Sequence, residues 1–352
     1  MVVRLSRWQD VDGVLLLDKA HGVSSNAMLQ RARRALNARS AGHTGTLDPA
    51  ATGLLIACFG EATKFSAELL DADKTYIALV RLGETSLTGD AEGPISIGSP
   101  FTGDCEEIEL VLRQFLGDIV QIPPMYSALK HGGKPLYAYA REGQTIARKP
   151  RRVHIEQLQL LATQQVDGAM EIELEVACSK GTYIRTLAED IGKALGCGAY
   201  LRGLRRTRIG TFSVHGALRL DGQALQDQSA CKLALLPIGA LLTGYPEIRL
   251  DSLQTRRFCH GQAVQVEPVA AMPSDISPGV DKDSAEPARG ARAARASRGP
   301  GHLPDRLAGW HRHAPAQTAI GRAGIAFATS ALAVIPGYQG AVKILPHAGF
   351  SG

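Results

Sequence analysis

Residues 41–53 read AGHTGTLDPAATG, and they form the most informative stretch of the chain. The stretch holds three glycines and one proline and shows no apolar repeat, so it predicts a loop. Asp48 precedes Pro49, whose ring fixes the backbone and stiffens the chain there. Loops often carry catalytic side chains, but an aspartate before a proline is also a common turn-forming residue. Taken alone, the stretch therefore leaves a catalytic and a structural role open for Asp48.

Ordered elements are predicted on both sides of this loop. Before it, residues 14–17 are an apolar run typical of a buried strand, and Ser24 or Ser25 can cap a helix. The apolar positions of that helix recur on one face: Met28, Leu29, Ala32 and Leu36. After the loop, the patterns predict a strand, a helix and a strand over residues 54–59, 61–70 and 75–82. The loop should therefore be held by ordered neighbours.

The middle of the chain adds further helices and strands. Residues 84–104 are polar and indicate a surface excursion, which a helix over 106–116 follows. Residues 171–178 alternate between apolar side chains and glutamates or alanine, which predicts a strand with one face in water. A helix is predicted over 183–195, with Tyr183 and Arg185 in its first turn. These patterns indicate a fold of the α+β class.

Residues 123–152 are irregular and rich in Gly, Pro, Tyr and basic side chains. A run of charge is usually only a solvated face. Tyrosines and glycines are interleaved here, however, and they offer stacking surfaces and close backbone approach to a nucleic acid. By composition the segment is therefore the best candidate for nucleic-acid binding, and its cations could neutralise phosphates. The cations are Lys130, Lys134, Arg141, Arg148, Lys149, Arg151 and Arg152.

The last hundred residues change in composition. Residues 246–268 contain short alternating stretches that predict the start of a small β domain. Residues 269–322 are rich in Ala, Arg, Gly, Pro and Ser, which is typical of a flexible segment. Residues 323–352 include a strand-like stretch of uncertain role. The predicted division is a large domain over 1–245, including the irregular basic segment at 123–152, followed by these three segments.

Composition narrows the class of protein. Lys and Arg outnumber Asp and Glu by 39 to 34, which permits nucleic-acid binding without demanding it. No apolar run is long enough for a signal core or a membrane span, so we expect a cytoplasmic protein without a membrane partner. Six scattered cysteines form no C-x-x-C pair and predict buried thiols rather than a metal site or a redox pair.

The string Gly42-His43-Thr44-Gly45-Thr46-Leu47-Asp48-Pro49 resembles the catalytic motif of the bacterial TruB family of pseudouridine synthases. Further blocks of the chain resemble that family in the same order: residues 13–19, 73–76, 124–130, 178–185, 196–199 and 204–206. One departure is Ala20, where relatives usually carry proline. The resemblance implies a mixed, mostly antiparallel central sheet with flanking helices and an RNA-binding cleft. It also implies a small C-terminal β domain of the PUA type, of which residues 246–268 would be the beginning.

The resemblance also implies an activity: isomerisation of uridine to pseudouridine at position 55, in the T-loop of tRNA, with no cofactor and no metal. The residue roles below are carried over from the family by position. Asp48 would be the nucleophile or ion-pair partner that detaches the base, paired with Arg185, and Tyr76 would stack on the uracil or move the carbon-5 proton. His43 would help to extrude the base, which has to leave its stack. Lys19 and Tyr183 would line the pocket.

Residues 123–152 resemble the RNA-gripping insertion of the family. The expected partner is the T-arm stem-loop of tRNA, bound by Lys130, Arg148, Lys149, Arg151 and Arg152, with the enzyme acting as a monomer and without a guide RNA. A related alternative is an RNA-guided synthase of the dyskerin type, but the insertion after residue 130 favours a standalone enzyme. A second alternative is a non-catalytic RNA-binding protein. A third is a carboxylate glycosidase, which needs a second positioned acid. The sequence indicates no clear partner carboxylate.

Overall fold

The structure is a computed structural model that describes residues 8–220, 228–242, 247–260, 262, 264–266, 318–320, 331–334 and 341–345. The chain divides into two compact units, Met1–Thr243 and Gly244–Gly352. The flexible segment predicted at 269–322 lies outside the described residues, apart from residues 318–320.

The first unit is a mixed α+β structure. Its described strands are β1 (Gly13–Lys19), β2 (Ala41–His43), β3 (Thr52–Phe59), β4 (Lys74–Leu82), β5 (Glu84–Ser86), β6 (Ile95–Ile97), β7 (Gly117–Gln121), β8 (Lys130–His131), β9 (Lys134–Pro135), β10 (Arg151–Val166), β11 (Ala169–Cys178), β12 (Ala199–Ile209) and β13 (Phe212–Ser213). Its described helices are α1 (Ser25–Ala35), α2 (Ser66–Asp71), α3 (Cys105–Arg113), α4 (Leu136–Arg141), α5 (Ile184–Ala194) and α6 (Gln228–Leu233), and Gly60–Phe65 and Ile238–Leu242 are 3-10 helices.

A nine-stranded sheet organises this unit, in the order β1-β3-β12-β4-β11-β10-β7, with β2 paired to β3 and β13 paired to β12. The β3–β12 pair is parallel and the other pairs are antiparallel. The prediction of a mixed, mostly antiparallel sheet with flanking helices is confirmed. The parallel pair matters for the site because it brings β12 beside the strand that follows the loop at Asp48.

Two apolar clusters hold the helices to the sheet. One joins α1 to β1 and β3 and includes Leu15, Leu17, Met28 and Ala57. The other joins α3 and α5 to the centre of the sheet. The helix boundaries follow from local chemistry: the Ser24 side chain caps α1 by accepting a hydrogen bond from the Ala27 N–H. These contacts fix α1 and α5, the two helices that flank the site.

Several local predictions need correction. The loop predicted at 41–53 is shorter, because residues 41–43 pair as β2 and residue 52 already belongs to β3. The helix predicted at 61–70 is a 3-10 turn followed by α2. The face of β11 predicted to be wet includes Glu171, which is buried and bonded to Arg81 at 3.0 Å and Arg202 at 2.8 Å. A paired carboxylate can be buried where an unpaired one cannot.

The second unit contains short strands in its described residues. They are β14 (Glu247–Arg249), β15 (Val264–Val266), β16 (Thr318–Ile320), β17 (Ala331–Val334) and β18 (Ala341–Leu345), together with helix α7 (Ser252–Cys259). β14, β18 and β17 form one sheet in that order, and β15 pairs with β16. Asp251 and Gln254 form a capping box at the start of α7.

Candidate active site

The loop that carries Asp48 is fixed through its backbone on both sides of that residue. The buried hydroxyl of Ser25, the first residue of α1, accepts a hydrogen bond from the Leu47 N–H at 2.8 Å and donates one to the Leu47 carbonyl at 3.0 Å. The Asp48 carbonyl closes a tight turn by accepting from the Ala51 N–H at 3.1 Å. The side chain of Asp48 nevertheless remains 49% exposed. The carboxylate is thus presented to solvent on a rigid support.

Lys19 supports the same loop by a hydrogen bond from its ammonium group to the loop backbone. Its side chain is fully buried, and the ammonium donates to the carbonyls of Ala20 at 3.1 Å, Val23 at 2.6 Å and Pro49 at 3.1 Å. Burial lowers the pKa of Lys19 to about 8, and the charge of Asp48 partly opposes that shift. These contacts make Lys19 a support of the backbone just after Asp48, rather than a side chain that lines the pocket as the resemblance implied.

A second buried cation holds the beginning of the loop. Arg206 on β12 is 2% exposed, and it donates to the Leu54 carbonyl at 2.8 Å and to the Gly45 carbonyl at 3.1 Å. Gly53 adopts a φ of 100°, and a Cβ there would come within 2.2 Å of the Arg206 carbonyl. A residue without a side chain is therefore required at this crossing of β3 and β12.

Arg185 links Asp48 to two other parts of the chain. Its guanidinium lies 3.1 Å from the Asp48 carboxylate and 3.3 Å from the Asp90 carboxylate. It also donates to the carbonyls of Thr88 at 3.1 Å and Tyr126 at 2.7 Å. The Arg185 side chain is only 9% exposed, and a buried guanidinium with several fixed acceptors has a defined direction. The pairing with Asp48 expected from the resemblance is thus present in the geometry.

Asp90 is a second carboxylate beside Arg185, and no sequence pattern indicated it. It lies in the turn between β5 and β6, within the segment predicted to be a surface excursion. Its side chain accepts from the Thr88 hydroxyl at 2.6 Å and from the Glu92 N–H at 3.1 Å. It is 12% exposed and faces Arg185. One cation is therefore shared by two carboxylates, of which Asp48 is the exposed one.

A cavity of about 220 Å³ opens beside Asp48. Its lining combines the loop, β4, the start of the insertion, α5 and β12: Thr46, Leu47, Asp48, Tyr76, Ser127, Ala128, Thr182, Tyr183, Ile184, Arg185 and Leu204. The volume lies below the range of about 300–1,000 Å³ that is usual for pockets of drug-sized ligands. The predicted residues Asp48, Tyr76, Tyr183 and Arg185 thus meet at one small site.

Burial affects the acidity of both tyrosines of the cavity. Burial raises the pKa of the Tyr76 phenol, and the positive charge of Arg206 partly opposes that rise. Burial also raises the pKa of Tyr183. Both side chains are therefore neutral phenols near pH 7, able to pack against a base or to exchange a proton with one.

Gln121 fixes the backbone of Tyr183. Its buried side chain accepts from the Tyr183 N–H at 3.0 Å and donates to the Tyr183 carbonyl at 3.3 Å. Tyr183 caps α5, so it directly precedes the helix rather than lying in its first turn as predicted. Gln121 pairs with Arg151 in the sheet, at the root of the insertion. The root of the insertion is therefore tied to the start of the helix that carries Arg185.

His43 ends β2 and lies just before the loop. Its Nδ1 atom is buried and makes no hydrogen bond to the described residues. Burial, followed by the nearby charge of Arg206, lowers the pKa of His43. The imidazole is therefore neutral near pH 7.

The cations of the insertion are not among the residues that line the cavity. Lys130, Lys149, Arg151 and Arg152 are exposed. Arg148 is partly buried and donates to the Pro123 carbonyl at 3.2 Å, which closes the two ends of the insertion on each other. The segment also contains the hairpin β8–β9 and helix α4 and is more ordered than its composition indicated.

No group of three or more potential metal ligands occurs among the described residues. Of the five cysteines whose side chains are described, Cys105 is exposed, unlike the expected buried thiols, and the other four are buried. None of the helices in the described part of the chain is long and apolar enough to cross a bilayer.

Comparisons with known proteins agree with this architecture. Residues 33–184 match the model of the TruB family pseudouridylate synthase N-terminal domain, and residues 185–242 match the tRNA pseudouridylate synthase B C-terminal domain. The chain is 53% identical over 270 residues to tRNA pseudouridine synthase B of Burkholderia lata, covering 76% of this chain and 82% of that protein. It is 55% identical over 261 residues to the protein of that name from Cupriavidus metallidurans, covering 74% and 82%.

Solved structures share the fold. A chain of the crystal structure of a Cbf5-Nop10-Gar1 complex superposes with a TM-score of 0.53 at 27% identity, covering 71% of this chain and 68% of that chain. A chain of the archaeal box H/ACA sRNP Nop10-Cbf5 complex gives a TM-score of 0.52 at 26% identity, covering 72% and 68%.

Proposed function

Because the chain belongs to the TruB family of pseudouridylate synthases and is an isomerase of uridine in tRNA, we propose that it acts on position 55 of the T-loop, with Asp48 as the catalytic carboxylate. The observation that carries the proposal is the exposed carboxylate of Asp48, held 3.1 Å from Arg185 at the mouth of a cavity with two tyrosines. An enzyme that acts on a base must take that base out of its stack into such a pocket.

In this proposal the flipped uracil enters the cavity between Tyr76, Tyr183 and Leu204. His43, at the end of β2 just before the loop, takes over stacking or phosphate contacts of the displaced nucleotide. Aromatic stacking contributes about 1–3 kcal/mol per base, which offsets much of the cost of flipping.

Asp48 then detaches the base from its ribose. Two atoms of the nucleotide are open to the carboxylate: carbon 1 of the ribose and carbon 6 of the base. Either attack needs an ionised and directed carboxylate. The rigid backbone of the loop supplies the direction, and the Arg185 guanidinium favours the ionised form. Tyr76 moves the carbon-5 proton after the base has turned and rejoined the sugar.

The substrate proposal is the T-arm stem-loop, gripped by the insertion. Lys130, Lys149, Arg151 and Arg152 are exposed cations that can neutralise phosphates, and Arg148 contributes beside them. A protein that grips the stem-loop itself has no need of a guide RNA. We therefore expect the purified chain to act as a monomer on an unmodified transcript to which no other RNA has been added.

The test measures tritium release from a T-arm RNA that carries [5-³H]uridine, with mass spectrometry of a full tRNA transcript to locate the product. The wild type should release tritium at position 55, and Asp48→Asn should release none while still binding the RNA. Asp71→Asn is the matched control, because Asp71 is an exposed carboxylate paired with Lys180 at 2.8 Å. Product formation by Asp48→Asn at the wild-type rate would contradict the proposal.

A further inference from the structure

Arg206 is a buried cation that lies behind the wall of the cavity. It stands directly opposite Tyr76 in the β12–β4 pairing, so both side chains project from the same face of the sheet. Its guanidinium donates to the neutral carbonyls of Leu54 and Gly45 and also interacts with the neutral phenol of Tyr76. Buried charges in proteins are usually paired with an opposite charge, so this arrangement needs an explanation.

Within the described part of the chain, the acidic group that acts on Arg206 is the phenol of Tyr76. The positive charge of Arg206 also reaches Lys19, His43 and Lys74, each of which it makes harder to protonate. Among the residues that the structure describes, no carboxylate forms an ion pair with Arg206, so a fixed positive charge lies behind Tyr76. Such a fixed field favours any negative charge that forms next to it during a reaction.

The negative charge can form on the phenol oxygen of Tyr76. Burial alone makes its phenolate costly, and the positive charge of Arg206 lowers that cost. Tyr76 also lines the cavity beside Asp48, whereas Arg206 does not. Arg206 can therefore influence the reaction through Tyr76 without touching the nucleotide.

We propose that Arg206 is a positioning residue of the isomerisation, whose guanidinium stabilises the phenolate that forms when the neutral phenol of Tyr76 gives its proton to N1 of the rejoined base. This inference rests on the proposed function and assigns a use to a residue outside the cavity. The phenolate then takes the proton from carbon 5, and the electron pair of the C5–H bond forms the C5–C6 double bond. The C6–N1 double-bond pair moves to N1, which keeps the proton it received from Tyr76, and the neutral phenol is restored. No oxidant or reductant is needed.

The experiment compares single-turnover rates on T-arm RNA whose target uridine carries hydrogen or deuterium at carbon 5. Arg206→Gln removes the charge and should lower the rate by about 10²-fold, in the range typical of a proton-transfer contribution. The isotope effect should become larger than in the wild type, because removal of the carbon-5 proton becomes the slow step. Arg206→Lys keeps the charge and should show smaller changes in both quantities.

Lys74→Met is the matched control. Lys74 is a buried cation on the same strand as Tyr76, and it donates to the carbonyls of Leu69, Leu70 and Ala72. Its loss should lower stability and leave the isotope effect at the wild-type value. If the isotope effect in Arg206→Gln equals that of the wild type, the inference about Arg206 is overturned while the proposed function stands. Such a result would mean that the variant misplaces the loop and slows the attack by Asp48. A wild type that forms no pseudouridine overturns the proposed function as well.

A second variant covers the case in which Arg206→Gln does not fold, as judged by circular dichroism. Incorporating 3,5-difluorotyrosine at position 76 makes the phenolate easier to form. It should therefore recover part of the rate lost in Arg206→Lys, and the enlarged isotope effect should fall. Absence of any recovery in that variant overturns the inference.

Discussion

Replacement of Lys19 by methionine tests the physical basis of the rigid loop. Lys19 is fully buried and donates to three carbonyls, one of them that of Pro49, next to Asp48. Its pKa in the folded protein is about 8, against 10.5 for an unperturbed lysine. Between these two values the unfolded chain binds more protons at this site than the folded chain. The free energy of unfolding that Lys19 contributes therefore rises as the pH rises through this window.

The size of the effect follows from the shift. A full shift of 2.5 pH units corresponds to about 3.4 kcal/mol, and about 2 kcal/mol of it is expressed between pH 7 and 9.5. Lys19 also borders a cavity with Asp18, Thr52 and Arg205, and water there screens part of the interaction. We therefore expect the wild type to gain about 1 to 2 kcal/mol relative to Lys19→Met over that range.

The assay is urea unfolding followed by circular dichroism at several pH values between about 7 and 9.5, the window of the expected change. The quantity compared is the difference in the free energy of unfolding between the wild type and the variant. Lys180→Met is the control, because Lys180 is exposed and its ammonium stays in water, so its difference should remain constant. A constant difference for Lys19→Met, or one that changes in the opposite direction, would refute the reasoning.

Two further predictions concern the insertion. Replacing Lys149, Arg151 and Arg152 by alanine should weaken T-arm binding and reduce the slope of log affinity against log salt by about 0.7 to 0.9 for each phosphate that is no longer neutralised; filter binding over a salt series measures this, and an unchanged slope would count against a phosphate-binding role. Gln121→Leu removes both hydrogen bonds to the Tyr183 backbone and should cost about 1–3 kcal/mol of stability. It should also lower the single-turnover rate by a larger factor than it lowers RNA affinity. Gln157→Leu, at an exposed position of β10, is the control for this variant. Equal rates in the two variants would exclude a positioning role for Gln121.

The sequence was sufficient for the elements that local patterns encode. The apolar stripe of α1, its serine cap and the alternation of β11 each use a period or a terminus signal that a short window contains. Glu171 shows the limit of that reasoning. Alternation placed it in water, whereas Arg81 and Arg202, both distant in sequence, bury and pair it. Such pairing depends on sheet order, which no local pattern contains.

The same limit separates the predicted and missed parts of the site. Asp48, Tyr76, Tyr183 and Arg185 were found because motifs resembling a known family contain them. Asp90 was missed because it lies in a polar turn without a repeat or a recognisable spacing. Gln121 was missed because the Tyr183 backbone becomes its neighbour only when the sheet assembles. Arg206 lies in a block that resembles the family, but its role was not predicted because its contacts with Gly45 and Leu54 also form only in the assembled sheet. Sequence motifs identify functional side chains more readily than they identify the residues that hold those side chains in place.

The role proposed for Asp48 presents a physical problem, because an exposed carboxylate cannot be fixed by packing its own side chain. Here the problem is met by fixing the backbone: Ser25 holds Leu47, Lys19 holds Pro49 and Arg206 holds Gly45. Two of these supports are cations, and burying them costs free energy that their carbonyl partners only partly offset. The same charges, however, produce a positive field beneath the cavity in which a uracil anion, a phenolate or a carboxylate is favoured. The same buried charges thus lower the stability of the fold and favour the reaction. A neutral replacement of one of these cations that raises the free energy of unfolding should therefore lower the rate of isomerisation.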